Sequence, residues 1–78
     1  MASSIRVAVL GAGAWGRNHV RVLSSLPGCT LAAVCDPSPE ALGRVGRAHG
    51  ALRLESLPQA VLADPSIHAV VIATPPPP

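Results

Sequence analysis

Val7-Ala8-Val9-Leu10-Gly11-Ala12-Gly13-Ala14-Trp15-Gly16 is the stretch around which this 78-residue chain is organised. The apolar run from Ile5 to Leu10, interrupted only by Arg6, predicts a buried strand. Gly11, Gly13 and Gly16 follow in G-x-G-x-x-G spacing, and a helix is predicted from Ala14 to Leu26. Each glycine has its own physical reason. Gly11 lets the chain turn sharply off the strand, where a Cβ would clash. Gly13 leaves room for a pyrophosphate to approach the backbone, and Gly16 lets the helix pack close to the strand. The first amides of that helix have no intrahelical acceptor and carry the positive end of its dipole. Backbone alone therefore makes an anion site.

Glycine and alanine can also simply fill a tight helix–sheet contact. The context decides between the two readings. Pro27-Gly28 stops the first helix, and Thr30 to Cys35 predicts a second strand. Asp36 follows at that strand's carboxyl end, twenty positions after Gly16. A carboxylate there can accept hydrogen bonds from both ribose hydroxyls of an adenosine. Strand, glycine turn, helix, strand and acid occur in the order that dinucleotide binding needs.

The remaining chain extends the alternation. Ser38 is placed to cap a second helix, with Pro39 first in it, Glu40 at its positive end and Gly50 as its stop. Its predicted apolar face is Ala41, Leu42, Val45 and Ala48. Ala51 to Leu54 predicts a short third strand, and Ser56 a cap for a helix running to about Ala63. Ala69 to Ala73 is apolar on successive residues and predicts a fourth strand buried on both faces. The result is an α/β fold, β-α-β-α-β-α-β, with a parallel sheet of expected order 3-2-1-4. Ligands bind such sheets where the order reverses, beside the glycine turn. Thr74 and Pro75 leave the fourth strand at that edge and are expected to wall the crevice.

Composition narrows the alternatives. Aromatic residues make up 1% of the chain, so the core must be built from Ala, Val and Leu. The net charge is only +2, the six arginines are scattered, and no Tyr or Phe can stack on bases, which argues against nucleic acid. Arg17 and Arg21 read as a solvated helix face, or as added attraction for an anionic ligand. No stretch approaches a membrane span, and no signal peptide is evident, so a cytoplasmic location is expected. Cys29 and Cys35 flank a strand roughly 20 Å long, too far apart for a disulfide, and read as free thiols. No metal-ligand spacing or catalytic constellation emerges. His19 and His68 read as packing or surface residues, His49 as a favourable cation at a helix end, and Glu55 and Asp64 as acids without visible partners.

Three motifs carry a resemblance: Val7 to His19 through the glycine turn, Ala33-Val34-Cys35-Asp36, and Val70-Val71-Ile72-Ala73-Thr74-Pro75-Pro76. Over nearly its whole length the chain resembles the amino-terminal Rossmann domain of the Gfo/Idh/MocA oxidoreductases. Trp15-Gly16-Arg17-Asn18 is similar to members acting on nucleotide-linked sugars. The resemblance implies hydride transfer between a nicotinamide cofactor and a sugar, cyclitol or nucleotide-sugar carbon. It implies a cofactor site of Gly11, Gly13, Ala14, Trp15, Gly16, Asp36, Thr74 and Pro75. NAD is expected rather than NADP, because Asp36 would repel a 2′-phosphate. Family members also carry a downstream Glu-Lys-Pro segment, whose lysine assists proton transfer, and a second, mainly β substrate domain. This chain has no lysine and stops before either part. Residues 1–78 are therefore expected to form the first half of a cofactor domain, with no catalytic residue and no activity alone, from a homo-oligomeric parent. Two other functions fit the glycine turn: a non-catalytic nucleotide-binding or redox-sensing module, and a methyl transferase using S-adenosylmethionine.

Overall fold

The computed structural model describes residues 4–50 and 52–74. Seven elements alternate along them: β1 (Ile5–Leu10), α1 (Ala14–Ser25), β2 (Cys29–Cys35), α2 (Pro39–His49), β3 (Arg53–Glu55), α3 (Pro58–Leu62) and β4 (Ala69–Ile72). The strands form one parallel sheet in the order β3-β2-β1-β4. The order reverses at β1, so the carboxyl end of β1 and its glycine turn open between β2 and β4.

Two apolar layers hold the sheet. On one face, Val9 of β1 and Val34 of β2 meet Val20 of α1 and Ala41 and Val45 of α2. On the other, Ala8, Leu10, Ala33 and Cys35 meet Val61 of α3. The largest fully buried side chains are the valines at 9, 20, 34, 45 and 61. Each contributes roughly 1.5–3 kcal/mol by leaving water. A core of valine and alanine keeps the helices close to the sheet.

The β1–β2 register carries an irregularity. Val7 lies opposite Leu31 and Ala8 opposite Ala33, which leaves Ala32 without a partner. Strict alternation would put Leu31 and Ala33 on one face. The bulge instead sends Leu31 to the α1–α2 layer and Ala33 to the α3 layer.

Several expectations change at the level of individual residues. The stripe read on α1 as Trp15, His19, Val22, Leu23 and Leu26 is not its packed face. Gly16 and Val20 are buried and Leu23 packs beside them, whereas Trp15 is 73% exposed and His19, Val22 and Leu26 are also exposed. The helix sits so close to β1 that its contact stripe begins at a glycine, which no hydrophobicity pattern reports. Ala48 is likewise exposed at the end of α2. Both cysteines lie within β2 rather than beside it, and both are free thiols. β3 begins at Arg53, later than expected, and residue 51 is outside the described residues. Leu57, not Ser56, precedes α3, with no side-chain cap. β4 packs through Val70 on one layer and Val71 on the other, but it is the sheet's edge, and Ile72 is 72% exposed. A parallel strand is buried on both faces only where helices cover both of them.

Glu55 and Asp64 do have a partner. The Arg53 guanidinium bonds Glu55 Oε2 through Nε and Asp64 Oδ2 through Nη1, each at 2.6 Å, and donates from Nη2 to the Ala60 carbonyl at 2.9 Å. This fork ties β3 to α3 and to the loop before β4. The Ser66 amide and hydroxyl, and then Arg53, hold the Asp64 carboxyl below its ordinary range. His68 is exposed but bonded, its Nδ1 accepting the Arg6 amide at 3.0 Å.

Candidate functional site

The site forms where β1 ends. Gly11 turns the chain with φ of +110°, a value that side chains with a Cβ rarely adopt. A Cβ there would also lie 2.8 Å from the Ala73 carbonyl carbon, because β4 leaves the sheet directly alongside. The Gly11 amide donates to the Cys35 carbonyl at 2.7 Å, and the Asp36 amide to the Glu55 carbonyl at 3.0 Å. The glycine turn, the end of β2 and the end of β3 are thus joined by backbone.

Gly16 serves a different contact. A Cβ on it would overlap the Gly11 carbonyl oxygen. The helix can therefore start one turn from the strand end only if residue 16 has no side chain. Gly13, the N-cap of α1, has φ of −75° and ψ of −160°, and a Cβ there would meet nothing within 4 Å. Glycine at 13 is not required by the fold; the space beside it is open.

The two long helices differ at their amino ends. Ser38 caps α2 by accepting the Ala41 amide at 3.2 Å, and Glu40 faces its positive end. α1 has no side-chain cap and no acid in its first turn. Its orphan amides and the dipole's positive end open on a crevice of about 1000 Å³ lined by Gly11, Gly13, Ala14, Trp15, His19 and Asp36, and by Pro37, Ile72, Ala73 and Thr74.

Asp36 stands across that crevice from Thr74. Its Oδ2 accepts the Ala12 amide at 2.7 Å and its Oδ1 the Ser38 amide at 2.8 Å. A carboxylate has about four acceptor positions, so roughly one per oxygen is left for a ligand hydroxyl. Of the residues expected at a cofactor site, Gly11, Gly13, Ala14, Trp15, Asp36 and Thr74 come together here. Gly16 lies behind them in the helix–turn contact, and Pro75 is outside the described residues. His19 is the residue the sequence reading missed. It lies one turn beyond Trp15 on the same side of α1, and that stripe faces the crevice rather than the sheet.

Cys35, immediately before Asp36, is buried, and burial first, then the Asp36 and Glu55 charges, raise its thiol above the ordinary range. Alkylation needs the thiolate. In native protein Cys35 is therefore expected to react with iodoacetamide far more slowly than the half-buried Cys29, and to match it once denatured. Mass spectrometry of timed digests measures both rates.

Among the described residues no group of three His, Cys, Asp or Glu side chains could hold a metal ion, and no helix is long and apolar enough to cross a membrane.

An uncapped helix at a topological switch point, with an acid at the end of β2, is the geometry of a dinucleotide site. The family model described as an oxidoreductase family with the NAD-binding Rossmann fold matches residues 5–78. The chain belongs to this Gfo/Idh/MocA family. It is 40% identical over 76 residues to a scyllo-inositol 2-dehydrogenase (NAD(+)) of Bacillus subtilis (strain 168), covering 96% of this chain and 22% of that protein. The chain thus spans less than a quarter of that relative's length. Among solved structures, a putative myo-inositol dehydrogenase from Sinorhizobium meliloti 1021 superposes with a TM-score of 0.82 at 35% identity, over 92% of this chain and 21% of that one. An oxidoreductase from Agrobacterium radiobacter in complex with NAD+, L-tartaric acid and magnesium superposes with a TM-score of 0.84 at 30% identity, over 94% of this chain and 21% of that one. The Gfo/Idh/MocA membership accounts for the strand order and for the glycine turn at the point of reversal.

Proposed function

We propose that this chain is the cofactor-binding part of a longer NAD-dependent oxidoreductase that moves hydride to or from a carbon of a cyclitol or related sugar. The observation that carries this reading is the uncapped amino end of α1, with open space at Gly13 and the Asp36 carboxylate at the rim of the same crevice. The dehydrogenase relatives favour a cyclitol over the nucleotide-linked sugars suggested by Trp15-Gly16-Arg17-Asn18.

In this reading the chain binds and orients. The Gly13, Ala14 and Trp15 backbone faces the pyrophosphate, whose charge the helix dipole favours. Asp36 accepts from the adenosine ribose, and Thr74 walls the cofactor's other side. The bound nicotinamide supplies the hydride chemistry. Proton transfer and substrate recognition belong to segments beyond residue 78, and residues 1–78 alone are inactive. The parent is a homo-oligomer in the cytoplasm, a reducing compartment that suits the free thiols of Cys29 and Cys35.

Asp36 also sets the choice of cofactor. A hydrogen bond between the carboxylate and a 2′-hydroxyl is worth about 1.5–3 kcal/mol, and a 2′-phosphate replaces it with repulsion. Fluorescence titration of the full-length protein is expected to show NADH bound at least as tightly as NADPH. A preference for NADPH that persists in Asp36→Ala would sink the assignment.

A further inference from the structure

The Asp36 carboxylate is engaged before any ligand arrives. Its Oδ2 reaches 24 residues back in the chain to the Ala12 amide, and its Oδ1 accepts the Ser38 amide two residues on. Ala12 is fully buried between the two glycines of the turn, so its N–H has no access to water. The 2.7 Å bond is in the short range of charge-assisted hydrogen bonds. Gly11 cannot tighten the turn by itself, because its own amide is committed to Cys35.

We propose that Asp36 is a positioning residue for the phosphate-binding turn as well as the acceptor for the ribose. Through Ala12 it holds the backbone at the orientation in which the Gly13 and Ala14 amides face the crevice. One carboxylate then couples the two ends of the adenosine diphosphate site. Without it, the buried Ala12 N–H loses its acceptor and the turn must rotate to find another. Removing the carboxylate at 36 therefore weakens NAD+ by more than the loss of its ribose bonds. This inference rests on the dinucleotide reading above.

The test uses the full-length protein and two ligands: NAD+, and an NAD+ analogue whose adenosine ribose lacks both the 2′- and 3′-hydroxyls. Asp36→Ala removes both acceptor oxygens, so the Ala12 amide loses its partner. If Asp36 acts through the turn, Asp36→Ala weakens the analogue by about tenfold or more, since a hydrogen bond to a charged group is at stake. In the ligand-free variant the Ala12 amide also exchanges faster, while the amides of Val7 to Leu10 keep their protection and report an intact sheet. Equal analogue affinity in wild type and variant, with only NAD+ weakened, would overturn the proposal and leave Asp36 a ribose contact alone. A wild-type protein that binds neither ligand would overturn the dinucleotide reading, and unchanged Ala12 exchange in Asp36→Ala would then overturn the positioning role on its own.

Discussion

A Gly13→Val variant is expected to melt close to wild type and to bind NAD+ at least about a hundredfold more weakly, the loss of one to two charge-assisted hydrogen bonds. The two halves of this expectation have separate causes. The Gly13 backbone, at φ of −75° and ψ of −160°, is in a region open to any residue, and a Cβ meets no atom within 4 Å. The fold therefore tolerates the substitution. The branched side chain instead stands in the crevice, in front of the uncapped amides of α1, where a pyrophosphate must approach. Calorimetric titration with NAD+ and a thermal melt on the same preparation measure both. Unchanged affinity would mean that the turn is only structural.

Gly16→Ala, which adds a single methyl group, is expected to do the reverse and cost at least about 3 kcal/mol of stability, at the upper end for overpacking. The added Cβ overlaps the Gly11 carbonyl. Neither side can yield cheaply. Gly11 is held by its bond to Cys35, the preceding Leu10 carbonyl accepts the Ala73 amide, and α1 is anchored through Val20 in the buried layer. Denaturant unfolding of the full-length protein checks the value. A stability loss below about 1 kcal/mol would show that α1 can slide along the sheet, against the close packing of a protein interior. The contrast between positions 13 and 16 separates the two uses of glycine in one motif: open space for a ligand at 13, close backbone approach at 16.

The family relationship fits this division. The matched segment, residues 5–78, begins with the strand that feeds the turn and runs through β4. The dehydrogenases it resembles are more than four times as long as the matched region, since that region covers 22% of the Bacillus subtilis protein. An anion site built from backbone amides needs few specific side chains, so a segment this short can hold one.

The order of elements was legible in the sequence because its signals are local. The glycine spacing, Pro27-Gly28, Ser38-Pro39 and Gly50 each act through the backbone of their own neighbourhood, and the starts and stops of α1 and α2 fall within two residues of them. The strand order followed from alternating strands and helices with the glycine turn at the reversal, and the sheet has that order. Asp36 could be singled out because its distance from the turn is a property of one β-α-β unit.

What only the tertiary structure decided depends on contacts between segments far apart in the chain. The packed stripe of α1 runs through Gly16 and Val20, because the helix lies too near the sheet for larger side chains; Trp15 and His19 are thereby turned to the crevice. The bulge at Ala32 changes which face Leu31 serves, a matter of register against β1. Arg53 finds Asp64 and Ala60 only once α3 has folded back beside β3. The reason that Gly11 must be glycine lies partly in Ala73, at the other end of the chain. The Ala12 amide meets Asp36 only when β2 pairs with β1. Local propensity acts over a few residues, whereas a side chain's partner is set by the packing of whole layers, and in this chain the layers assign the crevice to α1, Asp36 and Thr74.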